Sequence, residues 1–314
     1  MSAVSRLWRR APLWRLCVYG TVFFAGLAAF YPAAYLIRAI PSLGKLHPGA
    51  LHGGTAPDAS KPGPGPGGNG GPPGPGDGRI SFLPLTQGLT RAVPFGGHVL
   101  PLPAGVWHPV LSAQTGPNGA MLTDVYVRTD RGVVSGMVVA MGTAQPIPDP
   151  NLLSVDSPCH DDRAYARGEL PSGENVVSCW AIGATPVHDA PGTLNPVVAQ
   201  AVDRLNALGY PIPPLFMTMR WMHLTTVPKK GVGLEQADVM LSPAAPGTIR
   251  LPVPIDQWDR GAIAGAPAAA HFVDRMRVWA QEWAPILERG HAGTLDPTTI
   301  PDSLTMDPAA PAVH

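Results

Sequence analysis

The sequence is poor in charge. Lysine and arginine number 22, aspartate and glutamate 22, and charged residues fill only 14% of the 314 positions, so the formal net charge is zero. A neutral chain of this kind has no basic face to set against phosphates, which removes the electrostatic case for nucleic-acid binding. Catalytic signatures are also missing. The sequence holds no Walker A loop, no H-E-x-x-H, no EF-hand loop and no C-x-x-C. Gly132-Val133-Val134-Ser135-Gly136 misses the nucleophile elbow G-x-S-x-G by one position. Gly63, Gly65 and Gly68 satisfy G-x-G-x-x-G in form. No strand precedes them and the surrounding prolines bar a helix, so a dinucleotide fingerprint is excluded. No cofactor is indicated.

What is present begins with Leu16 to Ile37, LCVYGTVFFAGLAAFYPAAYLI, 22 positions without a charge. As a helix it would reach roughly 33 Å, enough for a hydrocarbon core of about 30 Å. Arg6, Arg9, Arg10 and Arg15 precede it, while only Arg38 and Lys45 follow closely. The positive-inside rule therefore predicts a cytoplasmic tail over 1–15, a transmembrane helix over 16–37 and an exported remainder. In a bacterial cell this would be the inner membrane, crossed once, with the C-terminal domain in the periplasm. The alternative is a cleaved signal peptide, but the run exceeds the usual apolar core of a signal and no A-x-A site closes it. Ala25 and Ala29 form a small-xxx-small pair that would permit helix dimerisation.

From 38 to 78 the apolar periodicity disappears, and Lys61–Gly78 reads KPGPGPGGNGGPPGPGDG. This stretch buries too little to repay ordering and reads as a disordered tether. An α+β domain is expected over 79–293, an antiparallel sheet of meander plus hairpin with two packed helices. His98–Leu102 and Trp107–Thr115 are short apolar runs broken by Pro103-Ala104-Gly105. Thr123–Thr129 alternates as a half-buried strand, and Val133–Met141 is apolar on both faces, as a central strand is. Trp107 and Tyr126 read as packing residues. Asn175–Thr185 is a further strand. Asn195 and Pro196 open a helix that Gly209 closes.

Leu215–Thr225 alternates, with Leu215, Met217, Met219, Trp221 and His223 sharing one face, and Leu234–Leu241 is a shorter strand able to pair with it. A second helix is predicted from Pro267 to Arg289, with Gly290 at its C-terminal cap and Pro285 kinking or shortening its last turn. Phe272, Met276, Trp279, Trp283 and Ile286 form its apolar stripe. That stripe either docks on the sheet or, with Phe272, Met276, Trp279 and Trp283 exposed, presents a partner surface. The tail over 294–314 is expected to fray.

Cys159 and Cys179 are 20 apart, and an oxidising exported compartment predicts a disulfide between them. His160, Asp161 and Asp162 beside it are the densest set of possible metal ligands, and His188-Asp189 would have to approach them. Without a spacing motif the cluster reads first as a polar loop flanking the disulfide, and only second as a metal site.

The segments HVLPLPAGVWHPV, GPNGAMLTDVYV, the spaced Cys159 and Cys179, PPLFMTMRWM and FVDRMRVWAQEWAPILERGHAG span most of residues 95–293. In that order they resemble uncharacterised envelope proteins of alphaproteobacteria, in which a two-cysteine β-rich module follows a signal or anchor. The resemblance implies no activity and no catalytic residues. Two functions follow from the sequence. One is a membrane-tethered, non-enzymatic module that binds another envelope protein or polymer. The other is a membrane-anchored hydrolase using the His160/Asp161/Asp162 loop, with or without a metal.

Overall fold

The computed structural model describes residues 78–148, 157–187 and 194–310. The basic tail, the apolar run Leu16–Ile37 and the Pro/Gly-rich stretch lie outside these residues, as do His188 and Asp189. Among the described residues no helix is long and apolar enough to cross a membrane.

The domain is α+β, built on one large antiparallel sheet. In chain order its strands are β1 (Arg79–Phe82), β2 (Ala92–Phe95), β3 (His98–Pro101), β4 (His108–Thr115), β5 (Met121–Asp130) and β6 (Val133–Thr143). A short helix α1 (Ser157–His160) leads to β7 (Ala166–Glu169) and β8 (Val176–Pro186). Then come α2 (Pro196–Ala207), β9 (Leu215–Val227), β10 (Gly231–Leu241), the long α3 (Pro267–His291) and a single-turn α4 (Asp302–Thr305). Eight strands pair in the order β1-β4-β5-β6-β10-β9-β8-β7. Every neighbouring pair is antiparallel.

The meander expected in the first half is β4-β5-β6, and the expected hairpin is β9-β10, although β10 starts three residues earlier than Leu234. Two features were not legible. The central β6 pairs with the last strand β10, which joins the halves into one sheet. The run at His98–Leu102 leaves the meander and pairs with β2 as a separate two-stranded sheet. Ile249–Ile255 forms no strand.

Each face of the sheet carries its own core. Alternation along β9 sends Leu215, Met217, Met219 and Trp221 to one face, where they meet α3, the β2-β3 hairpin and Trp107. The opposite residues of β4, β5 and β6 meet α2 through Val198, Ala201, Val202 and Leu205. Helix α2 starts as its sequence predicts: the Asn195 side chain accepts from Val197 N–H and Pro196 sits in the first turn. A third, smaller cluster sits under the Cys159–Cys179 disulfide, with Met222, Leu224 and Val232.

The α3 stripe resolves in favour of packing. Met276 and Trp283 are fully buried, and Phe272 and Trp279 are 5% exposed each, so none of the four is available as a partner surface. Trp279 and Trp283 stack at 5.6 Å, and Trp258 meets Phe272 edge-on. Each such side chain contributes about 1.5–3 kcal/mol by leaving water, which is why the stripe faces the sheet.

Gly290 does not cap α3, as its sequence position suggested. It lies inside the helix, which continues past Pro285 to His291, and Gly293 supplies the positive φ beyond the end. Gly290 is there for contact. A Cβ on it would overlap the Val99 carbonyl oxygen and stand 3.0 Å from Pro101 Cδ. The last turn of α3 is therefore pressed against β3, backbone to backbone.

The tail does not fray over its described length. Asp307 is buried and forms a bidentate pair with Arg128, at 2.5 and 3.0 Å. Ala104 N–H also donates to the Thr305 carbonyl.

The disulfide expected from the sequence is formed, with Cα atoms 5.6 Å apart. It ties α1 to β8. Replacing Cys159 with serine is expected to lower stability by about 3 kcal/mol, the chain-entropy value for a loop of this size. Urea unfolding of the oxidised protein against the C159S variant measures it; equal midpoints would mean that the bridge contributes nothing.

Candidate metal centre

The predicted ligand loop does not assemble. Cys159 is consumed by the disulfide. Asp161 is clasped by Arg163, through the backbone N–H and the guanidinium at 2.9 Å each, and these bonds hold its carboxyl below the ordinary range. Asp162 points into solvent beside Arg167 at 3.1 Å. His160 closes α1 next to the disulfide. Asp161 instead lines the rim of an open cleft of about 700 Å³ on the α2 face. The floor of that cleft carries the Arg220–Asp238 pair, bonded at 2.7 and 2.8 Å.

Ligand-type side chains converge on the opposite face, at the C-terminal end of α3. Among the described residues one group of His, Cys, Asp or Glu brings three possible ligand atoms within 4.8 Å of one another: His98, Glu235 and His291. Each arrives by a different route. His98 opens β3, immediately after the Gly96-Gly97 turn. Glu235 is on β10, on the face that looks at α3, and is 6% exposed. His291 ends α3, one residue past the glycine that lets the helix touch β3. The Gly290 contact therefore sets the distance between the two imidazoles, which stack at 4.4 Å with 25° between their planes.

His291 Nδ1 lies 2.5 Å from Glu235 Oε2, and His98 Nε2 lies 3.8 Å from the same oxygen. An ionised carboxylate only accepts, so the His291 nitrogen donates in this arrangement. A tetrahedral ion with bonds of 2.0–2.2 Å spaces its ligand atoms about 3.3–3.6 Å apart. Exchanging the shared proton for such an ion spreads the first contact by about 1 Å and draws in the second by a few tenths, shifts within side-chain reach. The set of two imidazoles and one carboxylate suits borderline divalent ions of the zinc class and is too nitrogen-rich for calcium or magnesium.

A second pair adjoins the first. His223 on β9 is the cross-strand partner of Glu235, so their side chains leave the sheet side by side. Its ring centre is 4.0 Å from that of His291. His223 Nδ1 stands 2.9 Å from Glu288 Oε1. Glu288 also accepts from Ser178 Oγ at 2.6 Å and from Trp221 Nε1 at 3.2 Å. Burial alone would raise the Glu288 carboxyl. The hydrogen bonds from His223, Ser178 and Trp221, with the attraction of the imidazole, outweigh it and hold the group below its ordinary value.

None of these five residues was singled out from the sequence as a ligand. The alternation of β9 puts His223 on one face with Leu215, Met217, Met219 and Trp221, the face that α3 covers. Two signals were available. Glu288 and His291 are spaced i, i+3 on the apolar stripe side of one helix, an E-x-x-H pair. A β9-β10 hairpin of the observed register sets His223 opposite Glu235.

No family model, no curated protein and no solved structure matches the chain.

Proposed function

We propose that this protein is a membrane-tethered, exported binding module of a bacterial envelope, and that what it binds is a divalent ion of the zinc class. One observation carries the metal reading: His98, Glu235 and His291, from three separate elements, present ligand atoms within 4.8 Å of one another. The tethering and export rest on the apolar run at Leu16–Ile37 with its preceding arginines. The Cys159–Cys179 bond supports an oxidising compartment. The aromatic stripe that suggested a protein or polymer partner is spent on the core, so the metal centre takes its place as the binding element.

Titration of the purified full-length chain with Zn²⁺, followed by calorimetry and elemental analysis, tests the proposal. One ion per chain is expected, with a Kd of about 1 µM or below, about −8 kcal/mol. Glu235→Gln and His98→Ala are each expected to lose that site. The sequence holds ten histidines, so weak binding that survives both substitutions counts against the proposal.

A second reading keeps the hydrolase. Two histidines and a glutamate with an open position form a known hydrolytic zinc arrangement, and the His98 side chain is 38% exposed. It would place a metal-bound water at this centre rather than at His160, Asp161 and Asp162.

A further inference from the structure

We infer that the open cleft on the α2 face is a binding site for a neutral saccharide, read by the Arg220–Asp238 pair on its floor. The inference stands apart from the metal-binding reading. Alternation along β10 sends Glu235 to the α3 face and Asp238 to the opposite one.

The floor differs in chemistry from its surroundings. One row of cross-strand partners runs Ala181, Arg220, Asp238, Val139. An ion pair set between an alanine and a valine gains little over an apolar pair of equal size, because desolvation offsets its attraction. Packing therefore does not account for it. Asp238 is buried, whereas the Arg220 side chain is 42% exposed and lines the cleft.

The pair also keeps unused bonding capacity. Asp238 accepts from Arg220 Nε and Nη2 and from Gln236 Nε2. That leaves about one acceptor position on the carboxylate and about three N–H groups on the guanidinium. Nearby, the Thr185 and Thr218 hydroxyls bond each other at 2.7 Å. One of their two hydrogens is left to donate outward, and both oxygens can still accept. Thr218 and Arg220 are two apart on β9, so the two polar stations stand about 7 Å from each other.

Charge and space select the ligand. Asp238 neutralises Arg220, Asp161 neutralises Arg163, and Arg260 on the rim has Asp259 beside it. A net anion or cation meets no excess of opposite charge. An apolar ligand would strip water from the floor and return no hydrogen bonds. A neutral molecule that donates and accepts at adjacent points fits both limits. Neighbouring ring hydroxyls of a sugar do this, one accepting from the guanidinium while the next donates to the carboxylate. Val139, Val198 and Met240 line the same cleft and suit the C–H faces of the rings. Room is left by Gly183, the cross-strand partner of Thr218, where a Cβ would meet nothing within 4 Å.

Ligand-observed NMR tests the inference, with maltotriose, cellotriose and tri-N-acetylchitotriose as probes. The full-length chain is used in a detergent without a sugar headgroup. At least one of the three is expected to bind with a Kd of about 1 mM or below, and a galacturonate trimer and trialanine more weakly. Binding is expected to survive EDTA, so this site and the metal centre fail separately. Gly183→Leu fills the cleft from an extended backbone and is expected to weaken binding about tenfold or more, with the melting temperature kept. Arg220→Met/Asp238→Leu, which strands no charge, is expected to lose binding; Gly183→Leu carries the test if that variant does not fold. Failure of all three sugars to bind overturns the inference. So does affinity unchanged in Gly183→Leu, or a preference for the uronate or the peptide.

Discussion

Saturating Zn²⁺ should raise the melting temperature of this protein by about 5–10 °C. An ion that binds only the folded state adds RT ln(1 + [L]/Kd), about 2.7 kcal/mol at a hundredfold excess over Kd. For a domain of this size each kcal/mol moves the midpoint by about 2–4 °C. The centre draws its three ligands from separate elements. His98 belongs to the small hairpin, Glu235 to the central sheet and His291 to the end of the long helix. Glu235→Gln keeps the shape but removes the charge and turns one carboxylate oxygen into an NH2 donor, and in that variant the Zn²⁺-induced shift should vanish. A wild-type melting curve that ignores Zn²⁺ would rule out the site.

Removing Asp307 should cost about 3–5 kcal/mol, the usual penalty for stranding one member of a buried ion pair. The Arg128 side chain is 4% exposed and that of Asp307 not exposed at all. Without the carboxylate the guanidinium keeps only the Ala104 carbonyl, the Ser135 hydroxyl and the face of Trp107 at 4.9 Å. Against a total stability of about 5–15 kcal/mol the loss is severe. The double variant Arg128→Met/Asp307→Leu should recover most of it, since it strands no charge. Urea midpoints of the three proteins decide the matter; a harmless Asp307→Ala would mean that the tail is not docked in solution.

Local pattern accounts for most of what could be read in advance. The alternation in β9, the asparagine and proline ahead of α2, the stripe of α3 and the cysteine pair all act over a few residues, and each produced the element or bond it suggested. The errors share a physical origin. Gly290 looked like a helix cap because a glycine near a helix end usually is one, and only the approach of β3 gives it another use. The tail looked unanchored because the partner of Asp307, Arg128, is 179 positions away. The proposed metal centre is hard to read from the sequence for the same reason. Its histidines carry no common spacing, and they meet only because β10 pairs with β6 and β9 and because α3 packs across them.

That distance has a kinetic consequence. The Cys159–Cys179 bond closes a loop of 20 residues, short enough for its ends to meet without the rest of the fold. The His98–Glu235–His291 constellation has no local precursor, because loop-closure entropy must be spent on the sheet, the hairpin and the final helix before its members meet. On the proposed metal-binding reading, uptake would be a late event that reports completed folding, and the ion acquired would be whichever one the folded protein encounters in the compartment where folding ends.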